Sequence, residues 1–131
     1  MVAANWREPP RVVGDGQRSI AELIALANRD PCRGDGSDKY TWYYISQAED
    51  TLDLLAEQGF NLDSIPPAGW QVVLGRFGHL KSGARVIDVT DAVHPQVAAQ
   101  CVSAVRLLGL DVAGLDVIAE DISRPLEDQG G

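Results

Sequence analysis

Apolar positions along the chain fall into two patterns that interleave: extended runs bounded by turn residues, and stretches at helical spacing. Val2 to Val13 reads as an extended stretch interrupted by Pro9 and Pro10. Prolines suit an edge or irregular strand because they have no amide to donate. Gly14-Asp15-Gly16 then predicts a turn. Ser19 and Glu22 have capping-box spacing, in which the hydroxyl accepts from an early helix amide and the carboxylate reaches back. Ile20, Leu23, Ile24 and Ala27 follow as a helical stripe, and Asp30-Pro31 is expected to end that helix. Tyr40 to Ile45 has strand composition. Ser46 and Glu49 repeat the capping-box spacing ahead of Leu52, Leu55 and Ala56. Gly59 suits the left-handed position just past that helix.

Trp70, Val72 and Leu74 alternate with Gln71, Val73 and Gly75, which predicts a strand. Val86 to Val89 predicts another. Pro95 suits the first turn of a helix whose buried face would be Val97, Ala98, Cys101, Ala104, Val105 and Leu108, closed by Gly109. Val112 to Ile118 is the most strand-like run in the chain. Interleaved strands and helices point to α/β or α+β. The short connections favour α+β: a mainly antiparallel sheet with packed helices, in a single domain over residues 1–131.

Composition narrows the partners. The chain is 45% hydrophobic and 23% charged, an ordinary globular mix, with a formal net charge of -8 and no basic stripe. A nucleic-acid partner is therefore not expected. No apolar run reaches membrane-spanning length, and Met1 to Arg7 has no signal-peptide core, so no membrane partner and a cytoplasmic location are expected. Cys32 reads as a free thiol in a polar loop and Cys101 as a small buried hydrophobe. Their spacing carries no signature of a metal pair or a disulfide.

Three places offer chemistry. Asp116 interrupts an apolar run, where a carboxylate must be paired, exposed on one sheet face or bound to a cation. The plainer reading is an outward-facing carboxylate. The stretch from Leu74 to Asp88 holds Arg76, His79, Lys81, Ser82 and Gly83; cations, a hydroxyl and a flexible glycine suit a phosphate or carboxylate contact. The plainer reading there is a solvated loop. The third is Asp30 to Asp38, with Arg33 beside Gly34. Its carboxylates lack the spacing and closing Glu of a calcium loop. His94 before Pro95 reads as a residue at a helix start, and His79 is too isolated for a triad.

The order of motifs carries more than any one of them. Pro9-Pro10-Arg11-Val12-Val13-Gly14-Asp15-Gly16, Ser19 to Ile24, Asn28 to Gly36, Asp63-Ser64-Ile65-Pro66, Asp88-Val89-Thr90-Asp91, His94-Pro95, Gly109 to Ile118 and Asp121 to Leu126 follow one another along nearly the whole chain. This series resembles the ATP-grasp region of cyanophycin synthetase and the related module of bifunctional glutathione synthetases. The resemblance implies a partial ATP-grasp lobe and an ATP-dependent carboxylate–amine ligase. In such an enzyme ATP phosphorylates a carboxylate and an amine attacks the acyl phosphate to give an amide. It implies ATP and Mg2+ as cofactors and a peptide-like substrate in an intact enzyme, with none of them expected on this chain alone. It also implies Asp116 as a metal ligand and Arg76 as a catalytic residue near the reacting phosphates, while Arg33, Lys81, Ser82 and Gly83 stand as candidate substrate or phosphate contacts by residue type alone.

The sequence departs from the family pattern at Ser37, where the family has His. It departs again at His79-Leu80-Lys81-Ser82-Gly83-Ala84, where the family usually reads Asn-Leu-Ser-Thr-Gly-Gly, and at Gly75, where it has one of two adjacent arginines. The family's remaining metal ligands sit on a strand after a Gly-Gly turn, and the sequence stops at Gly131. Two expectations follow: a ligase piece inactive in isolation, or a binding module that keeps the fold without the chemistry. Either way, the Val112 to Ile118 strand would present an exposed edge, with self-association at high concentration or a tail folded over that edge as the expected outcome.

Overall fold

The computed structural model describes residues 1–37 and 39–130. Asp38, a carboxylate of the loop compared with a calcium site, and Gly131, the end of the polar tail, lie outside the described residues. The chain divides into two compact units, one spanning Trp6–Ile87 and one made of Met1–Asn5 with Asp88–Gly131.

The first extended stretch is split at the two prolines into β1 (Asn5–Glu8), which belongs to the larger unit from Trp6 onward, and β2 (Arg11–Val13), which lies wholly within it. β2 pairs antiparallel with β5 (Gln71–Val73), Val12 opposite Val72. β1 pairs with β6 (Arg85–Asp88). Two further short strands, β3 (Arg33–Gly34) and β4 (Trp42–Tyr43), pair in parallel, Arg33 opposite Trp42. The α+β composition holds at this level. In place of one mainly antiparallel sheet, the described residues form three two-stranded sheets, one of them parallel. Strands of two to four residues carry too few ladder bonds to extend a sheet by themselves.

The helix α1 (Ile20–Ala27) starts as expected. The Ser19 hydroxyl accepts from the Glu22 amide, and the Glu22 carboxylate accepts from the Ser19 amide. It ends at Asn28, two residues before Asp30-Pro31, and Asn28 exchanges two hydrogen bonds with the backbone of Ile45. The second expected capping box does not form. α2 (Glu49–Glu57) begins at Ala48 with no side-chain cap, because the Ser46 hydroxyl accepts from the Ala48 amide instead. Gly59 takes φ +81° past the helix end. Val12, Ile20, Leu23, Ile24, Ile45, Leu55, Val72 and Leu74 form one buried cluster, so α1, α2 and the β2–β5 pair share a single core.

In the smaller unit, α3 (Pro95–Leu107) opens with Pro95 at its first turn and the His94 ring nitrogen accepting from the Gln96 amide. Of its expected buried face, Val97 is fully buried, and Ala98, Cys101 and Val105 are half-buried. Ala104 and Leu108 are exposed. Val112 to Ile118 is not a strand. It runs without regular secondary structure, Val112 is 91% exposed and Ile118 96%. Its β-branched composition needs a partner strand to form a ladder, and among the described residues none pairs with it. No helix among the described residues is long and apolar enough to cross a membrane.

Candidate functional site

The charged centre of the larger unit is Glu8. Residues 8, 10, 12 and 14 are buried while 11 and 13 are exposed, so the period of an extended chain turns Glu8 toward the interior with Val12. A buried carboxylate needs partners. Glu8 has two: one oxygen is ion-paired with Arg11, and the other accepts from Arg85 Nε at 2.7 Å as well as from Arg85 Nη2. This arginine fork ties β6 to β1 through a side chain as well as through the strand pairing.

Arg33 lies close by and is held differently. It is only 8% exposed, and its Nη1 donates to the carbonyls of Tyr43 at 2.9 Å and Gly83 at 2.8 Å. Its guanidinium lies 5.7 Å from the centre of the Trp42 ring, and that of Arg85 lies 6.0 Å from the same ring. Burial, with Arg85 as the next cause, pushes the Arg33 pKa down; Asp30 and Glu8 oppose the shift. Guanidinium basicity is high enough that Arg33 stays charged. The Trp42 indole Nε1 is buried without a hydrogen-bond partner among the described residues. Glu8, Arg11, Asp30, Arg33 and Arg85 are among the residues lining a cavity of about 260 Å³.

The remaining sequence-derived candidates divide between the units. Gly83 joins Arg33 through its carbonyl. It takes φ +98°, and a Cβ there would come within 2.6 Å of Ile45 Cα, so the loop closes only with glycine at this position. Lys81 and Ser82 lie in the short 3-10 turn Leu80–Ser82, where Ser82 donates to the His79 carbonyl at 2.8 Å and Lys81 is exposed. Arg76 is exposed and ion-paired with Glu57 on α2. Asp116 lies exposed in the smaller unit. Among the described residues no group of three His, Cys, Asp or Glu gathers to hold a metal. A lone carboxylate does not hold magnesium against its hydration shell.

Sequence reasoning passed over Glu8, Arg11, Arg85 and Trp42. The signal for Glu8 was available: a carboxylate in phase with apolar inward positions of an extended run. Nothing in the spacing linked it to Arg85, 77 residues away.

No protein-family model matches the chain. It is 40% identical over 131 residues to a cyanophycin synthetase of Trichormus variabilis, covering 100% of this chain and 14% of that protein. It is 36% identical over 126 residues to the glutathione biosynthesis bifunctional protein GshAB of Mannheimia succiniciproducens, covering 96% of this chain and 16% of that protein. Among solved structures, a bifunctional glutathione synthetase from Pasteurella multocida superposes with a TM-score of 0.80 at 36% identity, over 95% of this chain and 16% of the other. The chain is thus homologous to segments of both kinds of protein, as the motif order implied. It spans 14% of the length of the cyanophycin synthetase it matches.

Proposed function

We propose that this chain is one part of an ATP-dependent carboxylate–amine ligase, a piece of the C-terminal lobe of an ATP-grasp domain that forms amides through an acyl phosphate. The observation that carries this reading is homology along the whole chain to a cyanophycin synthetase, together with the TM-score of 0.80 to a bifunctional glutathione synthetase. In the ligase reading Arg76 stands near the transferred phosphate and Asp116 would be one ligand of a magnesium ion. Arg33, Lys81, Ser82 and Gly83 line the approach of substrate or phosphate. The metal would neutralise phosphate charge. The chain's own contribution is to hold the cationic loop on the Arg33–Gly83 bond.

A second reading, a binding module without catalysis, is favoured by two observations. Arg76 is already neutralised by Glu57, and Arg33 already spends one nitrogen on two backbone carbonyls. The test is phosphate release with ATP, magnesium and an aspartate–arginine primer. The 131-residue chain is expected to match a heat-killed control, whereas a longer chain carrying it between ligase flanks is expected to release phosphate in step with amide formation. In that longer chain Asp116→Asn and Arg76→Ala should each lower the rate by about tenfold or more. Amide formation unaffected by both substitutions would reject the assigned roles. A longer chain that binds the primer without turnover would favour the module.

A further inference from the structure

We propose that the cavity bordered by Arg11, Arg33 and Arg85 is a binding site for a small oxyanion, a phosphate or carboxylate group carried by a soluble ligand. The inference rests on the ligase reading for Arg33 and adds Arg11 and Arg85; oxyanion binding is read on the 131-residue chain, separately from turnover of a longer chain.

The argument is one of charge and donors. Three guanidiniums border the cavity, against one buried carboxylate, Glu8, and one exposed carboxylate, Asp30. Glu8 has both oxygens occupied by Arg11 and Arg85. The Asp30 Oδ1 accepts from the Cys32 amide at 2.8 Å. Arg33, the most buried of the three cations, has no carboxylate bonded to it, only two carbonyls that use its Nη1. Its Nε and Nη2, and the Nη1 of Arg85, donate to no protein acceptor among the described residues. Buried cations are ordinarily matched by an anion, and guanidinium forks match the planar and tetrahedral oxygens of carboxylate and phosphate. Both arginines are held against the Trp42 ring, which limits their rotamers and presets the donors. The chain as a whole carries a formal charge of -8, so it repels anions at long range. Affinity for one must come from this local excess of positive charge.

The experiment titrates the full chain with inorganic phosphate and, separately, with succinate, holding ionic strength constant with sodium chloride. Arginine Nε–H and tryptophan indole resonances are followed by NMR. The expected result is a saturable shift of the Arg33 and Arg85 resonances with at least one oxyanion and none with chloride. A stronger response to phosphate identifies a phosphoryl ligand, and a stronger response to succinate a carboxylate ligand. Arg11→Gln, which removes a half-exposed guanidinium, should weaken binding about tenfold, the loss of one charge-assisted contact. Arg106→Gln removes the same charge from α3 in the other unit and should leave affinity unchanged. Equal weakening by Arg11→Gln and Arg106→Gln would reduce the effect to net charge and overturn the site. So would responses to phosphate and succinate no larger than the response to chloride.

Discussion

Glu8 is a single carboxylate asked to balance more than one guanidinium. Its side chain is 4% exposed, while those of Arg11 and Arg85 are 41% and 44% exposed. Removing it strands cations whose water is only partly restored. Glu8→Ala should therefore destabilise the chain by about 2–3 kcal/mol, below the top of the ~3–5 kcal/mol seen for broken buried pairs because both partners are half in water. Glu8→Gln keeps an acceptor of the same shape and should cost less. Urea unfolding of the three proteins checks this, read as a fall in midpoint at unchanged slope. A Glu8→Ala midpoint equal to the parent's would mean that solvent already balances the arginines. At this scale the sequence was legible only in part. The inward phase of Glu8 follows from the alternation around Val12, and the need for glycine at position 83 was foreshadowed as loop flexibility. The convergence of Arg11, Arg33 and Arg85 depends on strand pairings between distant segments, which no local pattern encodes.

Local signals served best where one short stretch decides its own structure. The start of α1 is such a place. Asp15 accepts from the amides of Gln17 at 2.9 Å and Arg18 at 2.7 Å and pairs with the Arg18 guanidinium, fixing the turn before the Ser19 cap. The Arg18 amide first, then that of Gln17, pulls its pKa from 3.8 down to about 2. A carboxylate whose folded pKa is depressed stabilises the fold above its unfolded value, and that stability is lost as pH falls through the folded value. The contribution should be complete above about pH 4 and disappear toward pH 2. Asp15→Asn should flatten the pH dependence of the melting temperature within that window and leave the curve above pH 5 parallel to the parent's. A parent and variant with the same slope between pH 4 and 2 would count against the Asp15 turn. Where two solutions of similar energy compete, the pattern misled. Ser46 had capping-box spacing, yet its hydroxyl bonds two residues on, at the Ala48 amide, and the helix begins uncapped. The Val112 to Ile118 run had strand composition, but strands are made by pairs.

Across the whole molecule, apolar burial is uneven. The shared cluster of eight buried side chains lies entirely within Trp6–Ile87. In the smaller unit Val97 is fully buried, while Leu107, Leu108, Val112 and Ile118 are 88%, 70%, 91% and 96% exposed. The amides of residues 111–120 donate to no protein acceptor among the described residues. An extended stretch with unpaired backbone groups and apolar side chains can add to a like stretch from a second copy, gaining main-chain bonds and apolar burial together. The exposed sheet edge expected from the sequence is absent, because no sheet forms there, but the physical drive it was to supply is present in another form. The chain should therefore self-associate as concentration rises, despite a net charge of -8 that opposes it. Added salt should strengthen the association by screening that repulsion. Sedimentation velocity from about 10 μM to about 1 mM, at low and high salt, provides the measurement. Val112→Lys with Ile118→Lys should abolish the concentration dependence without moving the melting temperature, since neither side chain is buried. A parent chain that sediments as one monomeric species at both salt concentrations would reject the idea. So would a double variant that associates as strongly as the parent, because the contact would then lie elsewhere.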